Sequence, residues 1–211
     1  MPRWNPKPLW NGHDVYIIGG GPSLRSFDYS VLRGKHTIGC NDAFLHGFEI
    51  CRACIFGDIP WFDAFEDRLK QFPGIVFTCA RGFFVDWVYT IKNYPDGLHK
   101  DGVGWCGNTG AAALNLALLL GAKNVYLLGF DMKLDKEGRQ NWHDKNINKP
   151  NPKVYSRFLN GFRGSVKRDW KAKFPGVEIF NLNPDSELDV FPKMARQDHF
   201  GLTAEVIVNG S

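Results

Sequence analysis

The 211-residue sequence has little that belongs to a membrane, to a secreted scaffold or to a metal cluster. No stretch approaches the ~20 apolar residues that span a bilayer, and residues 1–13, MPRWNPKPLWNGH, hold no continuous hydrophobic leader, so a cytoplasmic protein is expected. Cysteine is scarce and odd in number, five in all, which argues for reduced thiols and against a disulfide framework. Cys51 and Cys54 have CxxC spacing, but no second pair follows and an apolar run begins beside them, which favours core thiols over zinc. An Asp-x-Asp triplet to hold a divalent ion against a diphosphate is missing, and no internal repeat is present. No metal site and no cofactor are therefore expected.

What is present suits one well-packed α/β domain. The chain is 44% hydrophobic and 14% aromatic, enough for a sizeable core and short for two domains. Residues 1–13 read as an extended arm packed by Trp4 and Trp10. The net charge of +4 is unevenly spread: Lys and Arg against Asp and Glu number 12 and 12 over residues 1–132, 12 and 4 over 133–173, and 2 and 6 thereafter. The middle segment is either a solvated basic face or a surface that meets phosphates.

The most informative stretch is 14–24, DVYIIGGGPSL. Val15 to Ile18 form an apolar run suited to a strand buried on both faces, and three glycines follow at once. Gly19, Gly20 and Gly21 can take positive φ and bring backbone N–H groups close to a phosphate or nucleoside; the alternative is a tight turn. No Lys-Ser or Lys-Thr follows, which excludes a P-loop, and the third glycine of a dinucleotide fingerprint is lacking.

Further strands are expected at 37–40, 51–56, 74–80, 124–128 and 177–182, with a helix over 61–71 and an irregular region over 81–103 that borders a pocket. Residues 23–32 read as a short helix or turn, and 183–186 lead into another short helix. A nearly all-apolar helix starts at Asn108 or Thr109, its N-cap, and stops at Gly121. Residues 156–173, interrupted by Gly161 and Gly164, read as one kinked helix or two short ones. Residues 132–155 form a polar, lid-like stretch. Alternating strands and helices with polar residues at strand ends (Asn41, Asp58, Asp131) imply a Rossmann-like, mostly parallel sheet with helices on both faces.

Taken as a set and in order, IIGGGPSL, GCND, GNTGAAALNLALLLGAKNVYLLGFD and NLNPDSELDVFP resemble the family 42 bacterial sialyltransferases and their broader relatives, among them the archaeal-type 6-hydroxymethylpterin diphosphokinases. The resemblance implies a nucleotide-activated sugar donor lying across the strand ends. It implies nucleotide contacts at Gly20, Gly21, Pro22 and Ser23, at Asn41, at Asn108, Thr109 and Gly110, and at Asp131, with Asp58 at a neighbouring strand end. Family members are metal-independent. Where they place tyrosines after the Gly-x-Asp motif to stabilise the leaving phosphate, this chain has Met132-Lys133-Leu134, which makes Lys133 the candidate replacement. His143 falls where the family carries a histidine general base; the alternative is a solvent-exposed loop histidine, and His99 and His199 are weaker candidates.

The expected activity is an inverting, metal-independent glycosyltransferase whose acceptor is a glycan or a nucleic acid. Two other readings stand beside it: an ATP-dependent diphosphokinase of the 6-hydroxymethylpterin type, which needs Mg²⁺, and a nucleotide- or nucleic-acid-binding module using the basic segment 133–173. A DNA-modifying sugar transferase would join the first and last of these.

Overall fold

Side chains in the strands alternate between two covered faces, and that alternation explains their unbroken apolar runs. The computed structural model describes residues 3–144 and 151–202. In chain order its strands are β1 (Asp14–Ile18), β2 (His36–Cys40), β3 (Ala53–Phe56), β4 (Ile75–Thr78), β5 (Tyr89–Thr90), β6 (Asn93–Tyr94), β7 (Val103–Gly104), β8 (Asn124–Leu128) and β9 (Glu178–Asn181). Helices are α1 (Ile59–Lys70), α2 (Thr109–Leu119), α3 (Lys153–Gly161), α4 (Lys167–Lys173) and α5 (Arg196–Phe200).

Seven strands form one sheet in the order β5-β4-β3-β2-β1-β8-β9, and every neighbouring pair is parallel. Strands β6 and β7 pair separately. The expected Rossmann-like α/β architecture is thus the one observed. Val15, Ile17, Val125 and Leu127 face the layer that contains α2, whereas Tyr16, Ile18, Tyr126 and Leu128 face Leu24, Leu32 and Leu182. Cys54 and Phe56 of β3 meet Trp61, Phe62 and Leu69 of α1.

All eleven residues of α2 are buried. Its alanines and Gly110 let it lie close on the sheet, and the Asn108 side chain caps it by accepting from the Gly110 N–H at 2.7 Å. At its other end Gly121 takes φ +91, the left-handed stop expected there. Asn115 is the polar residue in the middle of this helix. Its amide accepts from the N–H groups of His99 and Gly104 and donates to the His99 carbonyl, which satisfies all three in the interior.

One local expectation holds and one fails, both for identifiable reasons. The α-helical run over residues 153–173 is interrupted where the two glycines stand: α3 ends at Gly161 and passes through a π turn, Phe162–Val166, into α4. Gly161 also allows close packing, since a Cβ there would lie 3.0 Å from the Cys106 Cβ, and the widened turn sends Phe162 and Val166 into the core. After β9, residues 183–186 make only a turn, and α5 begins at Arg196. Asn183 and Ser186 spend their side chains on the chain segment after β8, donating to Asp131 Oδ1 and to the Phe130 carbonyl.

In the N-terminal arm, Trp4 donates its N–H to Thr90 and packs edge-on to Phe77, and Trp10 donates its N–H to Leu120 and stacks on His36. All five cysteines are free and buried, and burial pushes their pKa values up. Among the described residues, no helix is long and apolar enough to cross a membrane, and no group of three or more His, Cys, Asp or Glu side chains is placed to hold a metal ion.

Because Leu114 is completely buried between α2 and the sheet, Leu114→Ala is expected to lower unfolding stability by about 2–5 kcal/mol. Urea denaturation monitored by tryptophan fluorescence measures it.

Candidate functional site

Strand order reverses at β1: β2 to β5 extend to one side, β8 and β9 to the other. In an open parallel sheet the turns leaving two such strands diverge and open a crevice at their carboxyl ends. Here the glycine turn after β1 and the Gly129-Phe130-Asp131 turn after β8 form its base. They run in contact, Gly19 N–H donating to the Leu128 carbonyl and Gly21 N–H to the Gly129 carbonyl, both at 2.8 Å.

That contact accounts for two of the three glycines. A Cβ on Gly19 would lie 2.8 Å from the Gly129 carbonyl oxygen, and one on Gly21 would lie 2.5 Å from Asp131 Oδ2. None of the three takes positive φ, so the positive-φ expectation is corrected: glycine is needed here for close approach. Asp131, only 4% exposed, accepts from Ser23 N–H, Ser23 Oγ and Asn183 Nδ2, each at 2.7 Å. Pro22 and Ser23 do not border the cleft, and Ser23 holds Asp131 instead.

The cleft has a volume of about 810 Å³. Beyond the two turns it is bordered by Asn41, Asp42, Asp58 and Trp61 past the ends of β2 and β3, by Trp105 and residues 107–110 at the start of α2, by residues 140–143, and by Tyr155, Arg157 and Phe158 of α3. Gly20, Gly21, Asn41, Asp58, Asn108, Thr109, Gly110, Asp131 and His143 are therefore brought together, though widely separated in sequence. Among the described residues, three other than glycine have left-handed backbones, Asn41 (φ 51), Cys106 (φ 48) and Met132 (φ 56), and each lies at or beside this rim. Such conformations cost of order 1 kcal/mol or more and concentrate at functional sites.

His143 is anchored through its neighbours. Trp142 N–H donates to the Gly20 carbonyl at 3.0 Å, while Arg25 donates to the Trp142 carbonyl and to Asp144. The imidazole is mostly buried, with Nε2 3.6 Å from Asp42 Oδ2. Asp58 stands at the rim, caps nothing with its side chain, and burial holds its pKa above the usual carboxylate value.

Around the start of α2 the chemistry is cationic and donor-rich. Arg157 lies against Gly107, where a Cβ would come 3.0 Å from the guanidinium Nε, and it forms no ion pair among the described residues. Burial, with Asp131 and Asp135 nearby, pushes the Tyr155 phenol up to about 12, so it remains a protonated donor at neutral pH.

Other expectations are corrected. Lys133 does not border the cleft; its ammonium lies 3.8 Å from Glu187. Residues 81–103 do not border it either, since they build the β5 edge and the small β6-β7 sheet. His99 stacks on Tyr94 and His199 pairs with the Tyr16 hydroxyl, both away from the cleft. In the basic segment, Arg139, Arg163, Arg168, Lys171 and Lys173 all pair with nearby carboxylates, and Phe162 and Trp170 are core residues. The middle of the lid-like stretch, residues 145–150, lies outside the described residues. Trp61 and Arg157 carry no signal in the sequence, Asp42 stands out only through the placing of Asn41-Asp42 at a strand end, and Tyr155 only as one of the aromatics interleaved with the basic segment.

The arrangement defines a class: an open, parallel α/β sheet with a ligand-sized polar cleft at its topological switch point. No protein-family model and no curated protein matches this chain. Among solved structures, the sialyltransferase CstII from Campylobacter jejuni, in complex with the substrate analogue CMP-3FNeuAc, is similar with a TM-score of 0.50 at 16% identity over 86% of this chain and 85% of that one. The same enzyme with cytidine-5'-monophosphate gives 0.46 at 16% identity, over 85% and 84%. Likeness at this identity establishes a shared fold.

Two substitutions probe the contact at the base of the cleft. Gly21→Ala forces a Cβ into Asp131 and is expected to cost about 1–3 kcal/mol. Asp131→Asn turns an amide donor toward Ser23 or Asn183 and should cost a similar ~1–3 kcal/mol. Thermal unfolding of each variant against the unmodified chain checks both.

Proposed function

We propose that this chain is a glycosyltransferase that takes a nucleotide-activated sugar, of the CMP-sugar kind, as donor. It hands the sugar to an acceptor hydroxyl with inversion and without a metal ion. One observation carries the reading: a histidine beside a buried carboxylate and an arginine without an ion pair among the described residues border the same cleft, at the position where a sheet of this kind receives ligands.

Chemistry follows from these groups. The acceptor oxygen attacks the anomeric carbon as the bond from that carbon to the phosphate oxygen breaks, and His143 takes the acceptor's proton. Negative charge grows on the departing nucleoside phosphate. Arg157, the Tyr155 hydroxyl and the start of α2 are the groups at hand to stabilise it, a role divalent ions fill in other transferases. Asn41, Gly20, Thr109 and Asp131 offer the backbone and side-chain groups for base and ribose. Asp131 uses three of its roughly four acceptor sites within the protein, which leaves capacity for one ribose hydroxyl. The fold shared with a sialyltransferase supports the choice of donor.

A thermal-shift panel of CMP, UMP, GMP, AMP and their sugar conjugates, with and without EDTA, tests the donor. Ligand at 100 times its Kd stabilises by ~2.7 kcal/mol; a cytidine nucleotide is expected to give the largest shift, unaffected by EDTA. Absence of a shift with every nucleotide would sink the reading. His143→Ala is expected to keep nucleotide binding and to lose about 10²- to 10⁴-fold in donor turnover, whereas Arg157→Gln should weaken binding of the nucleotide phosphate while sparing the fold.

A further inference from the structure

Buried polar groups are poorly satisfied in one neighbourhood of this protein. Among the described residues, Tyr29 Oη, Asn41 Oδ1, Asp42 Oδ2, His46 Nε2 and His143 Nδ1 are buried without a hydrogen-bond partner, and Thr90 is the single further case. Native interiors leave few such groups, so a cluster of five requires a reason. They converge on the 3₁₀ turn Asn41–His46 after β2 and on the segment that carries His143.

Asp42 is the most demanding of them. Its carboxylate is 6% exposed. One oxygen, Oδ1, accepts from the Trp61 indole N–H at 2.6 Å, and Trp61 is itself wedged against Phe44, Phe56 and Phe65. The second oxygen has no donor, and what it faces is His143, whose Nε2 lies 3.6 Å away. That separation is too long for a hydrogen bond and short enough for a strong charge interaction once the imidazole is protonated.

We propose that Asp42, held by Trp61, is the positioning residue for His143: it aims the imidazole into the cleft and stabilises the imidazolium that forms when the acceptor's proton arrives. The inference rests on the reading of His143 as the base. It explains why a carboxylate is kept in the interior with one oxygen unsatisfied, since the missing partner is present only while the transferred proton resides on His143.

Other charged groups around His143 do not replace this effect. Asp144 follows it directly but is 82% exposed on its side chain and paired with Arg25. His46 stacks between Tyr29 at 3.6 Å and Trp142 at 4.6 Å, and burial together with His143 lowers its pKa to about 4, so it is neutral near pH 7. Asp42 is the buried negative charge left to act. A carboxylate favours the charged imidazole, so removing it must move the His143 titration to lower pH.

The test uses the full chain and two readouts. NMR titration of the His143 ring, assigned by its loss in His143→Gln, is expected to show a midpoint lower by about one pH unit or more in Asp42→Asn than in the unmodified protein. Trp61→Phe, which frees the carboxylate to move, should give a smaller fall. In donor turnover, the acidic limb of kcat/KM is expected to shift the same way in Asp42→Asn, with a plateau reduced about tenfold or more. A midpoint that does not fall in Trp61→Phe overturns the proposal independently of Asp42→Asn. An unchanged midpoint in Asp42→Asn overturns it as well, as does unaltered kcat/KM. If instead the midpoint falls in Asp42→Asn while His143→Ala retains full turnover, the pairing stands and the base assignment is what fails.

Discussion

The contact between the turns after β1 and β8 is the constraint on which the site depends. Two parallel strands paired through Ile18 and Leu128 must release their chains side by side, and hydrogen bonds from Gly19 and Gly21 keep those chains together beyond the sheet. Only residues without a Cβ can lie that close. The reward is a fixed position for Asp131, which then ties together three distant segments through Ser23 and Asn183. A cleft built on such a base needs no lid to exist. Its geometry is set by the sheet itself.

Much of the fold was legible because strands covered on both faces have no polar break. Val15 to Ile18, Val125 to Leu128 and the all-buried α2 each announce themselves by composition, and Asn108 and Gly121 mark the ends of that helix by the physics of capping. Gly161 and Gly164 mark the place where the helix passes from α to π, but the close approach of Gly161 to Cys106 is visible only in the structure. At the site, residues on strand ends were found and those reaching in from elsewhere were not. Arg157 belongs to a helix whose approach to Gly107 is a tertiary fact, and Lys133, nearer the motif in sequence, turns to Glu187. Asp42 acquires its meaning from Trp61 and His143, neither of them a sequence neighbour.

Charge is arranged to match. In the basic segment that stands out in composition, Arg139, Arg163, Arg168, Lys171 and Lys173 are taken up by Asp135, Asp189, Asp169 and Glu178. An exposed ion pair of this type contributes little to stability, about 0–1 kcal/mol, but it removes a cation from general service. Among the described residues Arg157 has no ion pair at the cleft, so the local charge there follows from which cations are paired, and the raw excess of Lys and Arg is a poor guide to it.

Burial of α2 gives this leftover cation more effect than its exposed position alone would. A helix dipole acts strongly where water cannot screen it, and every residue of α2 is inside the protein while its first turn opens on the cleft. The Asn108 cap satisfies the N–H of Gly110, and the Asn108 carbonyl takes that of Ala111. An anion beside Thr109 would therefore meet the positive end of an unscreened helix and the Arg157 guanidinium together.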